Sequence, residues 1–506
     1  MKKRVRMLTC LMALLMLVGV FVGCKQEDAK NPNDNTQTES PEVLTGEALD
    51  NLPTVKNYEN YEFVLLSNMD TRFGIPTFVV DEGSLEQGEA IPSALYDRAS
   101  LIKEKYNVNL SIITPTDYPE VINNNFLAQS YLCDVINLHV SYLMPAAMQG
   151  TLLDINDYRD TINLDASYWD QRIQENLAVG DMLFTLTGDL NFGDELGTLI
   201  TIYNKKLWDD KGFNEAYGTP YEMVKNHTWT YDNMMQMIKD FSEDTNGDDL
   251  MDERDKWGMI SELTATYYFF IGSGLKIINN HNGELDVRLT DSTQYALITE
   301  VLEETITLGD NPDVVFVNDP NPFTDMSDVR ATENRMFTND QALFNTYIMG
   351  TVLNLKDMKS DFGILPIPAY FEDQTEYHCW VNGGSSIAAM SMYRYTKDAQ
   401  RTAEIMEILS YHSRHGSNTL YEALFERMKY ARVCRSEDDL EMFDIIIDSK
   451  AFDFDQAAAI SGIEGQMYSL SKWGNADTLH STLENSPAVT KAKLNKWVMT
   501  VVKNCP

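Results

Sequence analysis

The chain has 506 residues, 43% of them apolar, with 77 acidic against 40 basic side chains and a formal net charge of −37. Such acidity makes nucleic acid and anionic lipid poor partners, and the length allows more than one core, since domains run at about 100–200 residues. Cysteine adds little: Cys133, Cys379, Cys434 and Cys505 are widely spaced, without CxxC or metal spacing, and read as buried free thiols whose pairing, if any, the spacing does not fix.

At the N-terminus Lys2, Lys3, Arg4 and Arg6 precede an apolar stretch from Met7 to Gly23. That is a signal-peptide pattern, and the stretch is shorter than the about 20 apolar residues a spanning helix needs. It ends at Phe21-Val22-Gly23-Cys24, which resembles the lipobox of bacterial lipoproteins. The resemblance implies cleavage after residue 23 and a fatty acid (palmitate) on the Cys24 thiol. The alternative is an uncleaved anchor, and either reading puts the folded part on the extracellular side of the cell membrane. Residues 24–57 are rich in Asn, Asp, Glu, Thr and Pro. They bury too little surface to offset ordering entropy and read as a flexible tether.

The ordered part opens with a βαβ pattern. Glu62 to Leu66 is an apolar run of strand length; Leu95, Ala99, Ile102 and Tyr106 recur at helical spacing; Val108, Leu110 and Ile112 alternate as in a half-buried strand. Asp134 to Leu138 reads as a buried strand, and Leu199 to Tyr203 as another. Strands separated by helices predict an α/β protein with parallel sheets. Thr230 is placed to cap a helix with Met234, Met237, Ile238 and Phe241 on one face. Phe362 to Leu365 is a short strand halted by Pro366 and Pro368. Leu494, Trp497, Val498, Val501 and Val502 mark a C-terminal amphipathic helix.

Several of these stretches are familiar in order. Asp134-Val135-Ile136 followed by Ala146 to Ile155, Tyr203-Asn204-Lys205 with Leu207, Thr228 to Asp232, FTNDQALF from Phe337 to Phe344, Gly363 to Pro368, and Ile387-Ala388-Ala389 with Lys397-Asp398-Ala399 resemble the family 1 extracellular solute-binding proteins of ABC transporters, the carbohydrate-type group, from about Tyr61 to the C-terminus. The longer C-terminal part is similar to a Gram-positive lipoprotein branch. The resemblance implies a two-lobe periplasmic-binding-protein-like fold (type II), with a ligand cleft between lobes joined by crossover strands. Mapped by motif, the first lobe is 58–190 plus 343–383 and the second is 191–342 plus 384–506. It further implies capture of a small solute, a mono- or oligosaccharide, delivery to ABC permease subunits, and no enzymatic activity. Two other readings stay open: a secreted carbohydrate-active enzyme, and a sensor subunit of the same fold.

Two constellations carry chemistry. From Asp244 to Asp255, oxygen ligands stand at positions 1, 3, 5, 9 and 12 of an EF-hand-type loop: Asp244, Asn246, Asp248, Asp252 and Asp255, with the Leu250 carbonyl at position 7. Asp249 replaces the glycine of the sharp turn. The expectation is a structural Ca²⁺ site, against the alternative of an acidic surface turn. Sugars suit aromatic faces flanked by hydrogen-bonding groups. Near crossovers and strand ends the candidates are Trp380 with Asn382, Tyr267, Tyr268, Tyr347, Asn68, Asp70, His139 and Asp189; for each, core packing or a solvated loop is the competing assignment. His412 and His415 lack a third metal ligand and read as a polar surface turn. HExxH, P-loop, GxSxG and GxGxxG patterns are missing, and no catalytic residue is singled out.

Overall fold

The computed structural model describes residues 50–68, 78, 90–319, 328–355, 358–382, 388–430, 436–473 and 476–505. The signal stretch, Cys24, most of the tether, Asp70 and Cys434 lie outside them.

Two sheets organise the chain. The first is built from β1 (Tyr61–Ser67), β2 (Val108–Ile113) and β3 (Val135–His139), all parallel, with a late antiparallel strand at Ala388–Met392, here β12; its order is β12-β3-β1-β2. The second contains β4 (Leu199–Asn204), β5 (Trp257–Ser261), β8 (Val314–Phe316), β9 (Ala342–Ile348) and β10 (Phe362–Leu365), in the order β10-β4-β9-β5-β8. There β5 runs parallel to β8 and β9, while β4 is antiparallel to β9 and β10. Two small pairs complete the strands: β6 (Ile278–His281) with β7 (Glu284–Val287), and β11 (Cys379–Trp380) with β13 (Lys450–Ala451).

The local chemistry explains the elements. The central strands β3 and β4 are buried almost throughout because both faces are covered. In the helix Tyr231–Phe241 the Thr230 hydroxyl accepts from the Asn233 N–H (3.4 Å), and Met234, Met237, Ile238 and Phe241 are buried. That helix lies so close on β5 that a Cβ on Gly258 would sit 2.4 Å from the Ile238 carbonyl oxygen. The helix Ala90–Tyr106 buries Leu95, Ile102 and Tyr106 as their spacing predicts. The C-terminal helix, Ala476–Asn504, buries Leu494, Trp497 and Val501 but leaves Val502 exposed. Cys133 and Cys379 are buried free thiols, and Cys505 is a half-buried one. Among the described residues no helix is long and apolar enough to cross a membrane.

The division of lobes by motif needs correction. Segment 343–383 was expected in the first lobe, yet β9 pairs with β4 and β5 and β10 with β4, all in the second sheet. Conversely β12, expected in the second lobe, pairs with β3 in the first. The chain therefore pairs with the first sheet again only at β12. Its C-terminal part is shared: helices Ala399–Arg414 and Leu420–Tyr430 pack on Ala90–Tyr106, while Glu437–Asp448 packs on β10. The last helix touches both sides. His480 reaches Glu303 on the helix Ser292–Ile306 (3.1 Å), and the Asn504 amide donates to the Met148 carbonyl at the end of the helix Val140–Met148 (2.8 Å).

Candidate functional site

The crossover is the place to look for a ligand, because open α/β sheets take ligands beyond the carboxyl ends of their strands. At the carboxyl edge of the first sheet, the Asn137 amide donates to the Ser67 hydroxyl (3.3 Å), and Asn191 donates to the Asn137 side-chain oxygen (3.1 Å) and the Ala388 carbonyl (2.9 Å). A Cβ on Gly193 would press the same Ala388 carbonyl oxygen at 3.2 Å. The short helix Gly193–Gly197 then leads to β4. There Met349 N–H donates to Thr198 (2.8 Å) and Asn382 N–H to Gly197 (3.3 Å), so outgoing and returning chains lie side by side. Because β4 opposes β9, its beginning meets the carboxyl end of β9. The carboxyl edges of both parallel strand sets thus meet at one crossover, the position where open α/β sheets take ligands.

Some candidates sit on these edges. Asn68 is exposed directly after β1, and half-buried His139 ends β3 opposite Ala388. Asn382 lies in the returning crossover beside Gly197. Tyr347, half-buried near the end of β9, has the Arg330 guanidinium stacked 3.5 Å above its ring. Arg330 begins the helix Val329–Thr338 and is ion-paired with Glu262, just after β5, and with Glu333 one turn along its own helix. Sequence reasoning missed Glu262, Arg330 and Glu333. Only the position of Glu262 immediately past a strand end, like that of Asn68, signalled it.

Others are core residues. Trp380 is 0% exposed, with ring centroids 5.3 Å from Tyr267 and 5.6 Å from Tyr268. The Tyr267 hydroxyl donates to Asp453 (2.6 Å), and the Tyr268 hydroxyl bonds Thr264 (2.7 Å). Packing of strand β11 against the helix Ala265–Gly272 turns these three rings inward, so none offers a face to a solute in this conformation. Asp189 is tied to Arg414 at 2.9 Å, a contact between first-lobe elements, and burial pushes its carboxyl up to about 6. His412, expected in a surface turn, is buried in the helix Ala399–Arg414 against the Tyr106 hydroxyl (3.0 Å), and burial lowers it to about 4.

A buried ionic cluster braces the crossover. The Lys450 ammonium, on β13, contacts Asp170 (2.6 Å), Asp194 and Glu195 (3.2 Å); Arg172 also pairs with Asp170 (3.0 Å). Asp170 caps the first-lobe helix Gln171–Leu177, while Asp194 and Glu195 belong to the crossover helix itself. Three carboxyls thus share two cations. Burial, with Asp194 adjacent, pushes the Glu195 carboxyl up to about 8.

No protein-family model and no curated protein matches the chain. Solved structures do. The ABC substrate-binding protein Lmo0181 from Listeria monocytogenes in complex with cycloalternan is 12% identical, with a TM-score of 0.50 over 87% of this chain and 100% of its own. A cyclo/maltodextrin-binding protein complexed with maltotetraose is 13% identical, with a TM-score of 0.52 over 87% of this chain and 96% of its own. Maltose-bound T. maritima MalE3 is 12% identical, at 0.50 over 85% and 99%. The fold is that of a two-lobe solute-binding protein. At this identity the likeness concerns fold alone, and these neighbours are binding proteins rather than enzymes.

Away from the cleft, the acidic loop follows the turn its spacing predicts. Asp244 accepts from the N–H groups of Asn246 (3.2 Å), Gly247 (2.7 Å) and Asp249 (2.8 Å), and Asp249 takes the glycine's place at φ +62°. Its charges are already engaged. Arg254 bridges Asp248 (2.9 Å) and Asp252 (2.9 Å), and buried Asp255 accepts from Thr245 N–H (2.9 Å) and Asp252 N–H (2.7 Å). Among the described residues no three acidic, histidine or cysteine side chains are grouped to hold a metal ion.

Proposed function

We propose that this chain captures a small solute, a mono- or oligosaccharide, between its lobes and delivers it to an ABC importer. The observation that carries the reading is the meeting of two carboxyl strand edges at one crossover. Asn68 and His139 stand on one edge, and the Tyr347, Arg330 and Glu262 group stands on the other. A solute touching both edges favours the closed arrangement by its differential affinity for it. The ligands of the structural neighbours, cycloalternan, maltotetraose and maltose, support the choice of solute class. Calorimetric titration with maltotetraose and other neutral oligosaccharides tests it. Saturable binding without glycan turnover supports a binding protein, and turnover of the glycan favours a carbohydrate-active enzyme.

Acylation of Cys24 would hold the protein on the outer face of the cell membrane, within reach of the permease. The acidic loop is proposed to take Ca²⁺ as a structural ion through Asp244, Asn246, Asp248, the Leu250 carbonyl, Asp252 and Asp255. In that reading the ion displaces the Arg254 guanidinium from Asp248 and Asp252, and the positive φ of Asp249 supports it.

A further inference from the structure

The carboxyl edge of the second sheet carries one cation between two carboxyls, stacked on Tyr347, the half-buried ring among the tyrosine and tryptophan candidates. We infer that the Arg330, Glu262 and Glu333 group over Tyr347 makes the cleft select uncharged saccharides and refuse anionic ones such as uronates and sugar phosphates. The inference rests on the carbohydrate reading and narrows it.

The geometry takes one face of Tyr347 out of use as a stacking platform. With the guanidinium 3.5 Å above its centroid, one face of the ring is already covered by a cation–π contact. A sugar entering here meets the outer edge of Arg330 and the Glu262 carboxylate instead. The guanidinium is not free for an anion. Its two terminal nitrogens go separately to Glu262 and Glu333. Glu333 is 1% exposed, whereas the side chains of Glu262 and Arg330 keep 17% and 30% of their surface. The pair facing solvent is therefore a donor and an acceptor, side by side.

A hydroxyl satisfies both, since it accepts from Arg330 and donates to Glu262. A carboxylate or phosphate only accepts, so beside Glu262 it meets like charge without compensation. The loop that carries Glu262 is fixed: the Leu263 N–H donates to the Asn318 side chain, which follows β8 (2.9 Å), and Thr264 bonds Tyr268 (2.7 Å). With that backbone fixed and the carboxylate paired to Arg330, swinging Glu262 away from an incoming anion would break the ion pair.

The test titrates the full mature chain with maltotetraose, cellotetraose and raffinose as neutral probes, and with tetragalacturonate and glucose 6-phosphate as anionic ones. The expected result is binding of at least one neutral probe, with either anion at least about a hundredfold weaker. Glu262→Gln, checked for folding by its melting curve, removes one of the two counter-charges. It should weaken the neutral probe about tenfold and strengthen the anionic probes by a similar factor. Arg330→Gln serves as a second variant and should weaken the neutral probe without admitting anions. An anionic probe that binds the wild-type chain as tightly as any neutral one overturns the charge selectivity and leaves the carbohydrate reading standing. Binding of none of the probes, neutral or anionic, to either chain overturns the carbohydrate reading and the inference built on it.

Discussion

Lys450→Met tests whether the buried cluster at the crossover holds the lobes' connection together. The substitution keeps the volume and the apolar stem but deletes the ammonium between Asp170, Asp194 and Glu195. Arg172 still pairs with Asp170, but Asp194 loses its cation and Glu195 a hydrogen-bond donor inside a site where the Lys450 side chain is only 2% exposed. Removing one partner of a buried pair costs about 3–5 kcal/mol. With an unfolding entropy of about 2.1 cal/mol/K per residue over roughly 450 folded residues, the total is about 0.95 kcal/mol/K, so Tm should fall by about 3–5 °C. Lys206→Met is the control. It removes a pair whose two side chains are 51% and 60% exposed and should shift Tm by less than about 1 °C. Adding Asp194→Asn to Lys450→Met should recover part of the loss, because the buried carboxylate left without a cation is then gone. A Tm for Lys450→Met within about 1 °C of the wild type, measured by calorimetry, would refute the assignment of this cluster as a brace.

The same cluster makes stability depend on pH. Glu195 has a folded pKa of about 8 against an unfolded value near 4.3, so its neutral form is favoured on folding and stability falls as pH rises from about 5 to about 8. Glu195→Gln is neutral throughout, and denaturant titrations across that range should show a shallower decline; equal declines would rule the carboxyl out as the cause. Trp380→Ala should cost about 3–5 kcal/mol of stability as a cavity mutation, with its melting curve moving far more than the affinity for any neutral oligosaccharide. Adding Ca²⁺ to chelator-treated protein should raise Tm, and Asp244→Ala with Asp248→Ala should abolish the rise; an unchanged response in the double variant means the loop is an acidic turn held by Arg254. Cys24→Ser should stop lipid labelling and release the protein from membranes, and retained labelling would show that the thiol is not the anchor.

What was legible in the chain follows from how local each signal is. Strands β1 to β4 and β10 and the helix capped by Thr230 all appear where periodicity put them, because burial pattern and capping chemistry act within a few residues. Allocation of strands to lobes was not legible. Whether Phe362–Leu365 joins the first or the second sheet depends on pairing with β4, and nothing local in either segment records that choice. Trp380, Tyr267 and Tyr268 carry the residue types of a sugar platform, but the same types fill cores, and tertiary packing turned them inward. Glu262 and Arg330 meet only because the turn after β5 comes up against the start of the helix Val329–Thr338. Lys450 and Asp194 stand 256 positions apart, so no motif window spans them.

The last helix carries a mechanical consequence. Its first half is tied to Glu303 through His480 and its final residue to the carbonyl of Met148, and between the two contacts stands Pro487, which removes a hydrogen bond from the helix ladder. A helix fastened near both ends resists sliding of the lobes along its axis, and the gap in its ladder at Pro487 is where it bends most easily. Opening and closing that preserve both contacts therefore have to be taken up by bending at Pro487.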